Sequence, residues 1–254
     1  MTRIAGTALV TGGARRIGKA IVEDLAAHGF AVAIHSNSSA GDAQALAETI
    51  KSAGGRAAVI EADLTDMSAV ADVVDAAGRS LGPVSLLVNN ASSFEDDSVL
   101  DFDWSEWDRH FDIHLKAPAL LAQKFAKALP EGMDGLIVNI IDQRVWRLSP
   151  RYFSYTLSKS ALWTATQTMA QALAPRIRVN AIGPGPTLRN TRQDDNDFRQ
   201  QVEALLLKQS PDLSEFGATI RYLWQARSVT GQMIALDGGQ HLAWQTPDVA
   251  GIVE

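Results

Sequence analysis

Short apolar runs alternate with longer amphipathic runs along nearly all of this chain of 254 residues. The short runs are rich in Val, Ile, Leu and Ala and are bounded by turn residues, which is typical of buried strands. We predict strands at Thr7–Thr11, Ala31–His35, Ala57–Glu61, Leu86–Asn89, Leu136–Ile140, Arg178–Ile182 and Gln232–Leu236. This alternation constrains the fold more than any other feature of the sequence.

The longer runs between these strands have helical patterns. We predict helices at Ile17–Ala27, Asp42–Ala53, Met67–Leu81, Trp104–Leu129, Tyr155–Ala174, Asp194–Gln209 and Ser214–Gln225. Alternation of strands and helices implies a parallel sheet with helices on both faces, joined by right-handed crossovers. The sequence therefore predicts a single α/β domain over residues 1–254, with a doubly wound parallel sheet of about seven strands.

Composition excludes several classes of function. The net charge is −6, and an acidic chain is a poor partner for nucleic acid or for an anionic membrane. The absence of cysteine excludes disulfides, thiolate metal sites and cysteine nucleophiles. There is no apolar run of about 18 residues that would span a membrane, and the first residues show no signal-peptide pattern. We expect a cytoplasmic protein without a nucleic-acid or membrane partner.

A glycine-rich turn follows the first predicted strand directly. It runs Thr11-Gly12-Gly13-Ala14-Arg15-Arg16-Ile17-Gly18, and a predicted helix begins inside it. Such a turn lets the backbone approach a pyrophosphate, while the helix N-terminus supplies free N–H groups. The alternative is a plain tight turn. The strand–turn–helix context favours the dinucleotide site of a Rossmann-type domain.

The end of the second predicted strand bears on the choice between NADH and NADPH. NAD sites place an acidic residue there, on the ribose hydroxyl. This strand ends His35-Ser36-Asn37-Ser38-Ser39, and the next acidic residue is Asp42. Arg15 lies where a 2′-phosphate would be met, and Ser38 and Ser39 offer hydroxyls. We predict NADPH as the cofactor; the alternative for Arg15 is a solvated cation at the helix start.

A tyrosine and a lysine are candidates for proton transfer. Tyr155 and Lys159 are four residues apart in a predicted helix, so both side chains lie on one helix face. A free tyrosine has a pKa near 10, and a neighbouring ammonium group lowers it. The pair therefore predicts a general acid/base that is tuned by the lysine.

Together these residues resemble the short-chain dehydrogenase/reductase family over essentially the full length. The matching pieces are Thr11–Gly18, Asp63, Asn89–Ala91, Tyr155, Lys159, Asn180, Pro184, Gly185 and Asp237–Gly239. The resemblance implies that Tyr155 gives or takes the proton, that Lys159 orients the ribose, and that hydride passes from nicotinamide C4. The expected cofactor-binding residues are Gly12, Arg15, Arg16, Ile17, Gly18, His35, Asn37, Ser38, Ser39, Asp63, Leu64, Asn90, Ala91, Ser92, Tyr155, Lys159, Pro184, Gly185 and Thr187.

Three positions depart from the family pattern. Arg16 replaces a glycine of the turn, and we expect its side chain to lean over the substrate mouth. His114 replaces an asparagine of the proton relay, either as a relay member or as a buried, hydrogen-bonded histidine. Asp142 replaces the serine thirteen residues before Tyr155. An ionised Asp142 disfavours tyrosinate, keeps the phenol protonated as a donor and favours reduction of a C=N bond; the two groups are expected to titrate together. The alternative is that the enzyme is catalytically inactive.

These departures resemble the pteridine reductase branch of the family, and His114 and the C-terminal stretch resemble its bacterial dihydromonapterin reductase-like members. The resemblance implies that Arg16, Ser92 and Phe94 surround a pterin, with the Phe94 ring stacked opposite the nicotinamide. Trp146 either lines the pocket or covers apolar surface. The expected catalytic residues are Asp142, Tyr155, Lys159 and His114, and the expected substrate residues are Arg16, Ser92, Phe94, Asp142, Trp146 and Tyr155.

The resulting hypothesis is NADPH-dependent reduction of a 7,8-dihydropterin, such as dihydromonapterin or dihydrobiopterin, to the tetrahydropterin. Hydride goes to C6 and a proton to N5. The alternatives are a carbonyl reductase acting on a sugar, steroid or acyl ketone, and a non-catalytic NADP(H)-binding regulator. We expect a lid around residues 188–209, no metal, an acidic solvated loop at Glu95–Asp97, and the homotetramer that the resemblance implies.

Overall fold

The computed structural model describes residues 6–190 and 192–252. Its strands are β1 (Gly6–Val10), β2 (Phe30–Ser36), β3 (Ala57–Glu61), β4 (Val84–Asn89), β5 (Gly135–Ile140), β6 (Ile177–Pro184) and β7 (Met233–Leu236). Its α-helices are α1 (Arg16–Ala27), α2 (Ala40–Ser52), α3 (Met67–Leu81), α4 (Trp104–Phe111), α5 (Ala117–Ala128), α6 (Phe153–Leu173), α7 (Asp195–Glu203) and α8 (Leu213–Gln225). No described helix has the length and apolar character needed to cross a membrane.

The strands form one seven-stranded sheet in the order β3-β2-β1-β4-β5-β6-β7. Each neighbouring pair is parallel. The predicted doubly wound sheet is thereby confirmed. Strand order reverses between β1 and β4, and in open α/β sheets the crevice beyond the carboxyl ends at such a point is where ligands bind.

Helices cover both faces of the sheet and explain why its strands are almost wholly apolar. One face packs against α1, α2 and α8 through side chains such as Ile21, Leu46 and Phe216. The other packs against α3 and α5 through side chains such as Val73 and Phe125. Burying a side chain of the size of Phe125 contributes about 2–3 kcal/mol. These two layers hold the carboxyl ends of the strands in fixed positions.

The predicted helix Trp104–Leu129 is interrupted. A π-helical turn at Asp112–Lys116 separates α4 from α5. Pro118 lies just inside α5. Proline has no N–H to donate, and its ring clashes with the carbonyl four residues earlier, at His114, so a regular α-helix is disfavoured here. The interruption places His114 in the wide turn, where its side chain is buried.

The predicted helix Asp194–Gln209 is shorter than expected. Helix α7 spans Asp195–Glu203, and the Asp194 side chain caps it by accepting from the backbone N–H of Asp197. Lys208 adopts a left-handed backbone conformation, with φ of 49°. A helix cannot continue through such a residue, so the segment ends in turns before α8.

Candidate active site

A cavity of about 710 Å³ opens at the carboxyl ends of the strands, around the point where strand order reverses. Nearly all the predicted site residues lie in its wall. They are Gly12, Arg15, Arg16, Ile17, Gly18, His35, Asn37, Ser38, Ser39, Asp63, Leu64, Asn90, Ala91, Ser92, Phe94, Asp142, Tyr155, Lys159, Pro184, Gly185 and Thr187. The remaining two, His114 and Trp146, lie outside the cavity wall.

The glycine turn is held by hydrogen bonds to the end of β4. The Thr11 hydroxyl accepts from the Asn90 backbone N–H at 2.9 Å. The Asn90 amide donates to the carbonyl oxygens of Thr11, at 2.9 Å, and Gly12, at 3.0 Å. A Cβ on Gly18 would overlap the Gly12 carbonyl oxygen and lie 2.5 Å from Nδ2 of Asn90. Only glycine at position 18 therefore lets α1 start this close to the turn.

The N-terminus of α1 faces this turn with its N–H groups free of side-chain partners. The N-cap residue, Arg15, makes no side-chain capping bond, and the first turn of α1 contains no acidic residue. Unpaired N–H groups and the positive end of a helix dipole are suited to phosphate oxygens. This end of the cavity therefore fits the pyrophosphate of a dinucleotide.

The Arg15 side chain has a partner that the sequence did not predict. It forms an ion pair with Asp42, the acidic residue near the start of α2. Both side chains are exposed, and exposed ion pairs are weak. Arg15 is therefore not a free cation in this structure, although its pairing leaves it beside the serines at the end of β2.

His35 supports the glycine turn from beneath. Its Nδ1 accepts from the Gly12 N–H at 3.2 Å, and its Nε2 lies 3.1 Å from the Ala62 carbonyl oxygen. Nε2 must donate that second bond, because a carbonyl oxygen can only accept. Burial lowers the pKa of His35 to about 4, so the ring is neutral at pH 7. His35 lines the cavity as predicted and also holds the turn from beneath, while its contact with the cofactor stays a prediction.

Tyr155 is brought against Asp142 by the return of the chain from β5 into α6. Oη of Tyr155 donates to Oδ2 of Asp142 at 3.0 Å. Nζ of Lys159 donates to the Ile140 carbonyl oxygen at 2.9 Å and lies 5.7 Å from the centre of the Tyr155 ring. Tyr155 and Lys159 are 5% and 2% exposed. Three ionisable groups thus share one poorly hydrated corner of the cavity.

The environment changes the pKa values of all three groups. Burial, followed by the neighbouring Asp142, raises the pKa of Tyr155 well above its ordinary value. Burial raises the pKa of Asp142, and it lowers the pKa of Lys159 to about 8. The expected lowering of the Tyr155 pKa by Lys159 is wrong, because burial and the carboxylate outweigh the ammonium group. The phenol is protonated at neutral pH, in agreement with the effect predicted for Asp142.

His114 lies behind Ser92 and has partners on both ring nitrogens. The Ser158 hydroxyl gives its own proton to the Tyr155 carbonyl, at 2.7 Å, so it accepts from Nδ1 of His114 at 2.8 Å. Nε2 then accepts from the Ser92 hydroxyl, at 2.9 Å, and the Ser93 N–H, at 3.2 Å. Burial holds the pKa of His114 well below its ordinary value. The structure favours the buried-histidine alternative over a proton relay.

Trp146 lies outside the cavity, which corrects its prediction as a pocket residue. The short 3-10 turn Gln143–Val145 carries it away from Asp142. Its ring packs 5.1 Å from His241 and 6.3 Å from Trp163, and the residue is 42% exposed. The alternative, that it covers apolar surface, describes its position.

Phe94 forms an aromatic wall with two tyrosines. Its ring stacks on Tyr152 with centroids 4.3 Å apart and meets the edge of Tyr155 at 4.8 Å. The sequence did not single out several lining residues of this region, namely Arg144, Tyr152, Arg192, Gln193 and Gln240. Only Arg144 had a signal, its place two residues after Asp142 in the same loop. Tyr152 had none, because its left-handed backbone, with φ of 58°, is not expected of a tyrosine.

Arg16 leans across the cavity mouth as predicted. Its guanidinium donates to the carbonyl oxygens of Leu188, at 3.2 Å, and Arg189, at 3.1 Å. A second arginine, Arg192, pairs with Glu95 at 2.6 Å and donates to the Phe94 carbonyl. Leu188, Arg189 and Arg192, which precede α7, therefore contact both sides of the cavity mouth.

The acidic loop at Glu95–Asp97 divides its carboxylates among separate partners. Glu95 pairs with Arg192, and Asp96 pairs with Arg151. Asp97 accepts from the backbone N–H of Ser154 at the start of α6. Over residues 6–190 and 192–252, no group of three or more His, Asp or Glu side chains is arranged to hold a metal ion.

The chain matches a family model and several characterised proteins over nearly its full length. A model described as enoyl-(acyl carrier protein) reductase matches residues 12–241. The crystal structure of FolM alternative dihydrofolate reductase 1 from Brucella canis, complexed with NADP, is 61% identical, with 98% of this chain and 99% of that chain covered and a TM-score of 0.95. A blue fluorescent protein from a metagenomic library, in complex with NADPH, is 32% identical, with coverages of 94% and 99% and a TM-score of 0.87.

The chain is also similar in sequence to a curated relative. The 3-oxoacyl-[acyl-carrier-protein] reductase FabG of Staphylococcus epidermidis is 31% identical over 242 residues, which is 93% of this chain and 99% of the relative. The sheet order, the glycine turn and the Tyr155–Lys159 pair agree with this relationship. The chain therefore belongs to the short-chain dehydrogenase/reductase family and is an oxidoreductase of that family.

Proposed function

We propose that this NADPH-dependent reductase converts a 7,8-dihydropterin into the tetrahydropterin. The observation that carries the proposal is the hydrogen bond from Tyr155 to Asp142, at 3.0 Å, beside the aromatic wall of Phe94. When bound, NADPH supplies the hydride that reduces C6. The protein supplies the proton that completes the C6–N5 bond reduction at N5.

NADPH is the cofactor because the cavity has a phosphate-binding end and lacks the acidic residue of an NAD site. The free N–H groups of α1 fit the pyrophosphate, and Gly12, which packs against Ala91 with φ of 60°, forms the turn in front of them. Asn37, Ser38 and Ser39 line the cavity at the end of β2 and offer neutral hydrogen-bonding groups. The Brucella canis neighbour is complexed with NADP and the metagenomic one with NADPH. We infer that Arg15 exchanges Asp42 for the 2′-phosphate.

Tyr155 is the proton donor in this proposal. Its raised pKa keeps the proton on Oη until the substrate nitrogen gains electron density. Asp142 accepts the hydrogen bond from Oη and so holds the phenol in place, and the proton that leaves is replaced from solvent through the open cavity after reduction. The ammonium group of Lys159 then offsets the negative charge that remains on the pair. The four-residue spacing on α6 thus places the ammonium group beside the proton donor.

Phe94 positions the flat ring of the substrate. Its own orientation is fixed by the stack on Tyr152 and by the edge of Tyr155. A planar ring held against such a wall has little freedom in its distance to the proton donor, and that restriction lowers the entropic part of the barrier. Ser92, held by His114, borders the same part of the cavity.

Reduction of an acyl or other ketone is the second candidate. The FabG relative, a 3-oxoacyl-[acyl-carrier-protein] reductase, favours it. A ketone oxygen gains negative charge as hydride arrives, and the family serine stabilises that charge by donating a hydrogen bond. Asp142 has a carboxyl in that place, which is better suited to a basic nitrogen. The alternative of a non-catalytic regulator is set aside, because the chain is an oxidoreductase.

We also propose that the protein is a homotetramer and that residues 188–209 form a substrate lid. Leu100 and Trp104, near the start of α4, are 92% and 65% exposed, and a partner subunit would cover them. The evidence for the lid is that the Arg16 guanidinium donates hydrogen bonds to the carbonyl oxygens of Leu188 and Arg189 at the cavity mouth. Light scattering coupled to gel filtration tests the assembly.

The decisive assay follows the loss of NADPH absorbance with 7,8-dihydromonapterin and 7,8-dihydrobiopterin. Tyr155→Phe is the matched variant, since it removes only the hydroxyl. Turnover that disappears in a variant still able to bind NADPH supports the proposal. An acetoacetyl thioester in a parallel assay tests the second candidate. Faster reduction of the thioester than of either dihydropterin would overturn the proposed function.

A further inference from the structure

Arg144 is a charged residue of the cavity wall to which the reaction assigns no role. Its guanidinium lies over the Tyr152 ring at 4.7 Å and 5.8 Å from the centre of Phe94. Over residues 6–190 and 192–252, its side chain makes no ion pair and donates no hydrogen bond. A guanidinium stacked on an aromatic face keeps the N–H groups at its edge available to a ligand.

Three other arginines of this mouth are already engaged. Arg192 pairs with Glu95, Arg151 pairs with Asp96, and Arg16 donates to two backbone carbonyls. The charge of the Asp142 carboxylate interacts with Arg144, but Oδ1 of Asp142 accepts from the backbone N–H of Arg144, at 2.8 Å, and Oδ2 accepts from Tyr155. No carboxylate among the described residues forms an ion pair or a hydrogen bond with the Arg144 guanidinium at the cavity wall.

Backbone strain at Tyr152 supports the interpretation that Arg144 is positioned to bind a ligand. Tyr152 holds a left-handed conformation, with φ of 58° and ψ of 50°, immediately before α6. This conformation is unfavourable for a residue with a Cβ, and such strain concentrates at ligand-binding positions. Here it places the tyrosine ring in contact with both Phe94 and Arg144, so one aromatic side chain supports the substrate wall and the cation.

Building on the dihydropterin reduction proposed above, we propose that Arg144 binds an anionic group on the substrate side chain. The cavity would then select a dihydropterin that carries a carboxylate or a phosphate over one with a neutral polyol chain. Either anion accepts two parallel N–H bonds from a guanidinium, which makes the contact both strong and directional. A glutamate conjugate and a phosphate ester are the two sources of such a group.

Three substrates separate these possibilities. They are 7,8-dihydrofolate, which carries carboxylates, 7,8-dihydroneopterin monophosphate, and the neutral 7,8-dihydromonapterin. Each is assayed with the wild type, Arg144→Gln and Arg144→Lys. Arg147→Gln is the matched control, because Arg147 is exposed and does not line the cavity. Binding of each pterin to the NADP⁺-loaded protein is measured in parallel, since that readout does not depend on turnover.

Arg144→Gln is expected to raise KM and Kd for the anionic substrate by about 10- to 100-fold, as for loss of a charged hydrogen bond. The neutral substrate should change less than about twofold, because it makes no ionic contact with Arg144. Arg144→Lys should recover part of the loss, and added salt should weaken binding of the anionic substrate selectively. The anionic substrate whose KM and Kd rise in Arg144→Gln identifies the anion that Arg144 binds.

Equal losses for all three substrates, or no loss for any, would overturn the anion site while leaving the reductase function intact. If the wild type reduces none of them, the proposed function fails. The binding measurements then decide the role of Arg144 separately: a selective loss for an anionic pterin supports it, and no selective loss overturns it.

Discussion

The phenolic oxygen of Tyr155 donates a hydrogen bond of 3.0 Å to Oδ2 of Asp142 inside a buried corner of the cavity. Burial raises the pKa of both groups, and the Asp142 carboxyl raises the pKa of Tyr155 further, whereas the hydrogen bond from Tyr155 lowers the pKa of Asp142. The phenolic proton is therefore retained on Tyr155 at neutral pH. The pair is prepared to donate a proton during reduction.

Replacing the carboxyl of this pair should impair proton delivery. Asp142→Ser restores the residue type common in the family and removes the partner of Oη. We expect kcat with 7,8-dihydromonapterin to fall by about 100-fold, within the usual contribution of general acid catalysis. The Tyr155 pKa should also fall, because the variant lacks the nearby negative charge; ultraviolet titration of the phenolate measures this. Asp134→Ser, at an exposed site paired with Arg227, is the control. Unchanged dihydropterin turnover in Asp142→Ser would contradict the role of Asp142 in proton delivery.

The charge of Lys159 should set an alkaline limit on the reaction. Burial lowers the pKa of Lys159 to about 8, so its ammonium group is lost as pH rises through that value. We expect kcat/KM, measured with NADPH as the varied substrate, to decline above pH 8 because the cation no longer offsets charge in the site. Lys159→Met should be slower and lack this limb. A wild-type profile that stays flat to pH of about 10 contradicts the assignment.

His35 should make the protein sensitive to acid. Its pKa is about 4 in the folded chain, against an ordinary value of 6.5. Between these values the unfolded chain binds more protons, so the free energy of unfolding decreases as pH falls from 6.5 towards 4. The full shift corresponds to about 3 kcal/mol. Urea unfolding across this range should show a shallower decrease for His35→Asn than for the wild type. His28→Asn, at a half-exposed side chain, is the control for replacing a histidine.

Two glycines in helices should respond to alanine in opposite directions. Gly18→Ala would press a methyl group against the Gly12 carbonyl, whereas Gly78, in α3, has open space around the same position. We expect Gly18→Ala to lower stability by about 1–3 kcal/mol and to weaken NADPH binding. Gly78→Ala should raise stability by about 0.5–1 kcal/mol, since alanine has less backbone entropy to lose. Urea midpoints and NADPH titrations measure both, and similar behaviour of the two variants would contradict the crowding at Gly18.

Substitutions of two aromatic residues should distinguish the cavity wall from the protein surface outside it. Phe94→Ala removes the ring that stacks on Tyr152, so we expect KM for 7,8-dihydromonapterin to rise by about tenfold. Trp146→Ala alters a ring outside the cavity, beside His241, and should change KM by less than about twofold. Steady-state kinetics at saturating NADPH provide the comparison. A larger rise in KM from Trp146→Ala than from Phe94→Ala would contradict the placement of the substrate against Phe94.

The sequence by itself determined the architecture and the glycine turn between β1 and α1. Apolar periodicity is a local property, and it predicted β3 and α3 with the bounds that the structure shows. The glycine turn was also predictable, because a strand, a glycine at position 18 and a helix follow one another directly. Such features depend on neighbouring residues and need no knowledge of the rest of the fold.

The tertiary structure decided the chemistry of individual side chains. The pKa of Tyr155 follows from burial and from Asp142 rather than from Lys159 on its own helix. His114 is buried and neutral because a widened helical turn places it between Ser92 and Ser158. The loop that leads into α6 has no periodicity, so only the structure shows that it directs Trp146 outwards. Burial and long-range contacts depend on segments far apart in the chain, and local pattern does not encode them.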